Sequence, residues 1–80
     1  MLLPNPASNT VTISYDSETE KSINIQFFDV TGKTISAQTN TLTKGNNTIT
    51  VDVNQLTQGY YMVVLTDGTN QLREKLLIVK

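Results

Sequence analysis

Cysteine, histidine and tryptophan are missing from these 80 residues, proline occurs twice and glycine four times. Without cysteine no disulfide can staple a core that is already limited by chain length, so packing alone must hold the fold. The lack of cysteine does not decide compartment, because exported bacterial proteins need not use disulfides. Without histidine the chain lacks the usual general base and the commonest transition-metal ligand. No apolar run approaches the roughly 20 residues needed to span a bilayer, and no signal-peptide pattern opens the chain. Six basic and seven acidic residues leave a net charge of −1, which gives no basic footprint for nucleic acid.

The available nucleophiles are serines and threonines. A Ser–Lys pair would have to use Lys21, Lys33, Lys44, Lys75 or Lys80, all of which stand beside turns or at polar positions. There is no glycine-rich phosphate loop and no cluster of metal-ligating residues. Asp16, Glu18 and Glu20 gather three carboxylates in five residues, yet they lack the Asp-x-Asp-x-Asp-Gly spacing of a dedicated calcium loop. A solvated turn is the simpler reading. The chain therefore reads as non-enzymatic, with no cofactor and no metal.

What is present is alternation. Val11, Ile13 and Tyr15 fall on one face of Thr10–Tyr15, the pattern of a half-buried strand. Ile23, Ile25 and Phe27 repeat it, although Phe28 and Val30 then occupy the side expected to be polar, implying local cover or a bulge. A return strand follows over Lys33–Gln38, with Ile35 and Ala37 expected inward. Residues 39–47 are polar and rich in breakers, and read as a connection containing at most a short strand. Asn46-Asn47-Thr48 within it is formally a glycosylation sequon, a short motif of little weight. Ile49, Val51 and Val53 resume the alternation. Tyr61–Leu65 is apolar on both faces, as expected of a central strand covered on both sides. In the final strand Leu72, Leu76 and Ile78 are expected to face the core while Gln71, Arg73 and Lys75 face out. At the other end, Pro4 and Pro6 exclude helix and make 3–9 an extended opening segment.

The turns are equally readable. In Asp29-Val30-Thr31-Gly32-Lys33 the aspartate can accept from turn amides and Gly32 can take a left-handed conformation. Asp67-Gly68-Thr69-Asn70 is a second hairpin turn. Leu56, with Gly59 three residues on and Tyr61 two beyond that, has the layout of a tyrosine corner, in which the Tyr61 hydroxyl returns to upstream backbone with Leu56 packed behind it. Tyr60, on the opposite face, is expected to be exposed. About seven antiparallel strands, turn signals every eight to twelve residues and no helical period predict an all-β, immunoglobulin-like sandwich.

Three pieces of the sequence then act together: Pro4-Asn5-Pro6-Ala7-Ser8-Asn9, Phe28-Asp29-Val30-Thr31-Gly32-Lys33, and the run from Gly45-Asn46 through Asp52, Leu56, Gly59, Tyr61, Gly68 and Lys75 to Val79-Lys80. In that order and over essentially the whole chain they resemble the type A C-terminal sorting domain of the type IX secretion system of Bacteroidota. The resemblance implies a domain excised from the C-terminus of a larger secreted protein. It implies as partners the type IX translocon, a sortase-like cell-surface cysteine peptidase and an N-terminal cargo domain, with the cargo ending at the cell surface or in the medium. By position it implies recognition through Gly59, Tyr61, Gly68, Lys75, Val79 and Lys80, with Asp29, Gly32 and Lys33 as turn residues. The cleavage point belongs to a linker expected upstream of Pro4. The competing reading is an accessory carbohydrate-binding or structural sandwich of a multidomain secreted enzyme, in which Tyr15, Tyr60 or Tyr61 could stack on sugars. A third is an adhesive fragment that pairs through free strand edges.

Overall fold

The computed structural model describes the backbone of residues 2–3 and all of residues 9–80. The extended segment expected around Pro4 and Pro6 lies outside the described residues. Seven strands follow in order: β1 (Leu2–Leu3), β2 (Thr10–Ser17), β3 (Lys21–Phe28), β4 (Thr34–Leu42), β5 (Gly45–Asp52), β6 (Gly59–Thr66) and β7 (Gln71–Ile78). They form two antiparallel sheets, one ordered β1-β2-β5 and the other β4-β3-β6-β7. This is the all-β immunoglobulin-like sandwich that the alternation predicts.

Period-two patterning sends one face of each strand inward. Val11, Ile13, Ile49, Val51 and Val53 come from the three-stranded side of the fold, and Ile23, Ile25, Phe27, Tyr61, Val63, Leu65, Leu76 and Ile78 from the four-stranded sheet. Leu42 joins them, and Tyr15 and Leu56 pack against the cluster's margin. No polar side-chain atom is both buried and unpartnered among the described residues. The core cluster is thus held by the packing of apolar side chains and one tyrosine, with no disulfide.

Four expectations are corrected. The return strand does not stop at Gln38: β4 runs to Leu42, and only Thr43 and Lys44 separate it from β5. The polar Thr/Asn stretch forms strand because β4 is an edge strand, where threonine satisfies the pleat without needing a core. Asn47 ties the short link together, accepting from the Thr43 amide at 2.9 Å and donating to the Thr43 carbonyl at 2.9 Å.

Second, Ile35 and Ala37 do not face the core; both are exposed. Phe27 pairs with Ser36 but Phe28 pairs with Thr34, so Ile35 is the extra residue of a β-bulge. The core-side positions of β4 are Ser36, Gln38, Asn40 and Leu42, of which only Leu42 is fully buried. Third, Leu72 is on the expected face but 49 % exposed, because it stands beyond the end of the core that Leu76 and Ile78 close. Fourth, β6 is central within its sheet, yet among the described residues no element covers its outer face. Val64 is buried there between its cross-strand neighbours Gln26 and Arg73.

Candidate functional site

The expected recognition residues divide between the two ends of the four-stranded sheet. Gly59 pairs with Ile78, Tyr60 with Leu77, Tyr61 with Leu76 and Met62 with Lys75, so Gly59, Tyr61, Lys75, Val79 and Lys80 lie at one end. Phe28 also pairs with Met62. The turn that leaves β3 after Phe28 therefore arrives at this same end, and Asp29, Val30, Tyr60, Tyr61, Met62 and Lys75 line one hollow. Gly68 does not join them. It sits in the β6–β7 turn, at the far end of the strand pair.

Each part of this end is tied by hydrogen bonds of its own. Asp29 Oδ1 accepts from the Thr31 amide at 2.9 Å, the Thr31 hydroxyl at 2.6 Å and the Lys33 amide at 3.0 Å. The Gly32 amide donates to the Asp29 carbonyl at 3.0 Å, and Gly32 has φ of 90°, a conformation open to glycine but strained for other residues. These donors favour the ionised carboxylate, so Asp29 titrates below the ordinary aspartate range, chiefly through the Thr31 hydroxyl and the Lys33 amide.

The tyrosine corner is present as expected. Tyr61 is buried, and its hydroxyl donates to the Thr57 carbonyl at 2.7 Å. The same loop holds the last residue of the chain: the Lys80 amide donates to Gln58 Oε1 at 3.2 Å and Lys80 Nζ to the Asn54 carbonyl at 3.1 Å. On the outer face Tyr60 is 51 % exposed, and the Lys75 ammonium lies 4.9 Å from its ring centre, a cation–π contact. Val79 is exposed beside them.

At the opposite end, Asp67 organises the β6–β7 turn. Its Oδ1 accepts from the Thr69 amide at 2.9 Å and the Asn70 amide at 2.7 Å, while Oδ2 accepts from Lys21 Nζ at 2.7 Å. The Asn70 amide, then Lys21, hold the Asp67 carboxyl well below the usual carboxylate range; the same hydrogen bond raises Lys21 above the ordinary lysine value. The sign follows from linkage. Stability contributed by Asp67 is complete above the unfolded aspartate value of about 3.9 and is lost as pH falls from there toward the depressed folded value. Lys21 contributes fully below about 10.4 and loses its contribution as pH rises through its raised folded value. Thermal melting should thus be flat across neutral pH and fall on both sides. Asp67→Asn should make the acid limb shallower; an acid limb as steep as wild type would show that other carboxylates carry it.

At the two ends the Asp29 and Asp67 carboxylates accept hydrogen bonds within their own turns, Lys21 pairs with Asp67, and the Lys75 ammonium lies on the Tyr60 ring. The model of the secretion system C-terminal sorting domain family matches residues 1–80, the whole chain. The chain belongs to that family. Neither a curated protein nor a solved structure matches it. A sorting domain of the type IX secretion system marks its protein for export across the outer membrane, to the cell surface or beyond.

Sequence reasoning anticipated the turn, the corner and the exposed Tyr60 of this sorting domain, but not that the turn and the corner meet. It also passed over Met62 and Arg73 as parts of a shared surface. The signal was available in Phe28, Val30, Met62 and Val64, four apolar residues at positions where an exposed sheet face should be polar.

Proposed function

We propose that the chain is the C-terminal address of a larger exported protein, read by the type IX translocon at the end of the four-stranded sheet where the Asp29–Lys33 turn, Tyr60, Lys75 and Lys80 stand together. A sortase-like cysteine peptidase then removes it upstream of Pro4, and the cargo is attached to the cell surface or released. The chain itself does no chemistry in this reading. The observation that supports it best is the convergence: two pieces of the family resemblance, separated in sequence by β4 and β5, occupy one surface of the folded domain.

β7 adds to this. Among the described residues it pairs with β6 alone, which makes it the edge of its sheet. Arg73 and Lys75 on its outer face discourage edge-to-edge aggregation while leaving the edge open to strand addition by a receptor.

The test is a fusion of these residues, with a short upstream linker, to a periplasmically exported fluorescent protein in a type IX-competent bacterium. Fluorescence is expected at the surface or in the medium, and to be lost in a translocon mutant. Retention in the periplasm with the domain folded would refute the reading. Lys75→Ala and Lys80→Ala are expected to change stability by no more than about 0.5 kcal/mol, as surface substitutions do, while lowering export about tenfold, equivalent to about 1.4 kcal/mol of recognition. Export of both variants at the wild-type level would remove these two lysines from the recognition surface.

A further inference from the structure

The outer face of the four-stranded sheet is built in rungs. Phe28, Met62 and Lys75 lie side by side in register, and Gln26, Val64 and Arg73 form the next rung. Over them stands Val30, 80 % exposed at the tip of the Asp29–Lys33 turn. Together they shape an open trough of ≈ 380 Å³ that runs into the hollow beside Tyr60. Its floor sets the apolar Phe28, Met62 and Val64 between Gln26 and Gln71, whereas the outward positions of β2 and β5 on the other sheet are Thr12, Ser14, Asp16, Asn46, Thr48 and Thr50.

Charge on the trough is net positive, with Arg73 and Lys75 set against the one ionised carboxylate of Asp29. Arg73 has no ion-pair partner among the described residues, and Lys75 lies over Tyr60. The carboxylate at the trough, Asp29, already accepts three hydrogen bonds within its own turn. A chain of net charge −1 therefore presents two cations of β7 along a floor whose centre is the apolar Met62 and Val64. Phenylalanine, tyrosine, methionine and arginine are the residue types enriched where proteins meet. The trough is open along its length, so it does not enclose a small molecule as a ligand pocket does. In length and shape it suits a strand: side chains two positions apart on an extended chain project from one face at about 6.8 Å spacing, which is also how Met62 and Val64 are set.

We propose that this trough binds an extended segment of a protein partner, lying alongside β7, with apolar side chains at alternate positions over Met62 and Val64 and a carboxylate opposite Arg73. As the site at which the export machinery reads the domain, the trough rests on the sorting function proposed above; as a binding surface it is tested independently. An eight-residue extended peptide with isoleucine, valine and glutamate at successive alternate positions and threonine between them, added at millimolar concentration to ¹⁵N-labelled domain, is expected to shift amide resonances in 26–30, 60–64 and 71–75. The same peptide with lysine replacing glutamate is expected to shift them at least about tenfold less at equal concentration, because like charges meet at Arg73. Arg73→Glu should reverse that preference while the melting temperature stays at the wild-type value. Absence of shifts, equal shifts with both peptides, or shifts on β2 and β5 would overturn the proposal.

In cells, Arg73→Glu and Val30→Asp are expected to lower export of the fluorescent fusion at least about tenfold. If the wild-type fusion is not exported, the sorting reading fails and the peptide titration still decides the trough. If the wild type and both variants are exported alike, the sorting reading stands and the trough is not its point of contact.

Discussion

Leu76→Asp is expected to leave no folded domain. Leu76 is fully buried on β7, in register with Tyr61, facing the opposite sheet. The substitution forfeits about 1.5–3 kcal/mol of apolar burial and places a carboxylate in the apolar core cluster, a cost of several kcal/mol more. A domain of this length has roughly 4–12 kcal/mol of stability to lose, at 0.05–0.15 kcal/mol per residue. Collapsed amide dispersion in the ¹⁵N spectrum and the loss of a cooperative thermal transition are the expected results. Leu76→Met, which conserves volume, should cost less than about 1.5 kcal/mol. A native-like spectrum for Leu76→Asp would mean that β7 can leave the sheet without unfolding the rest.

The second large effect is at Tyr61, where two substitutions separate hydroxyl from ring. Tyr61→Phe keeps the ring in the core but removes the donor to the Thr57 carbonyl, at a cost of about 1–1.5 kcal/mol. Tyr61→Ala also empties a ring-sized space between the sheets, and large-to-small aromatic changes cost about 3–5 kcal/mol. For a domain of this size 1 kcal/mol corresponds to roughly 4–8 °C. Thermal melting should therefore fall by about 5 °C for the phenylalanine variant and by about 15 °C or more for alanine. Hydrogen exchange offers a second measure. The Leu56 amide donates to the Val53 carbonyl inside the loop that the tyrosine pins, so it should exchange faster in Tyr61→Phe. Equal melting of Tyr61→Phe and wild type would show that the corner is held by packing and not by its hydroxyl.

The parts of the molecule that could be read in advance are those encoded within a few residues. Alternation in Thr10–Tyr15, Ile23–Phe27 and Thr48–Val53 specifies inward faces, and Asp29 and Asp67 each carry the side-chain acceptor that their own turn needs. The corner from Leu56 to Tyr61 is likewise local. Edge positions were not readable in the same way. Ile35 looks like a core residue until the bulge at Thr34–Ser36 turns it outward, and Leu72 keeps the phase of Leu76 and Ile78 although the core has ended before it. Threonine and asparagine in 39–42 suggest a loop because their patterning is polar, but an edge strand asks for little else.

What no local pattern contains is register between distant strands. Phe28 and Met62 are partners because β3 pairs with β6, with β4 and β5 lying between them in sequence. The meeting of the Asp29 turn with Tyr60 and Lys75 is a product of that pairing, as is the Lys21–Asp67 ion pair at the far end.

The β3–β6 pairing also sets when the domain can act. Under the proposed function, a nascent or unfolded chain carries every residue of the address yet displays none of it, since the turn and the strand ends become neighbours only once this non-local pairing has formed. On that reading the signal proofreads its own bearer: a chain whose sorting domain failed to fold would not be queued for export and would stay in the periplasm, within reach of its proteases.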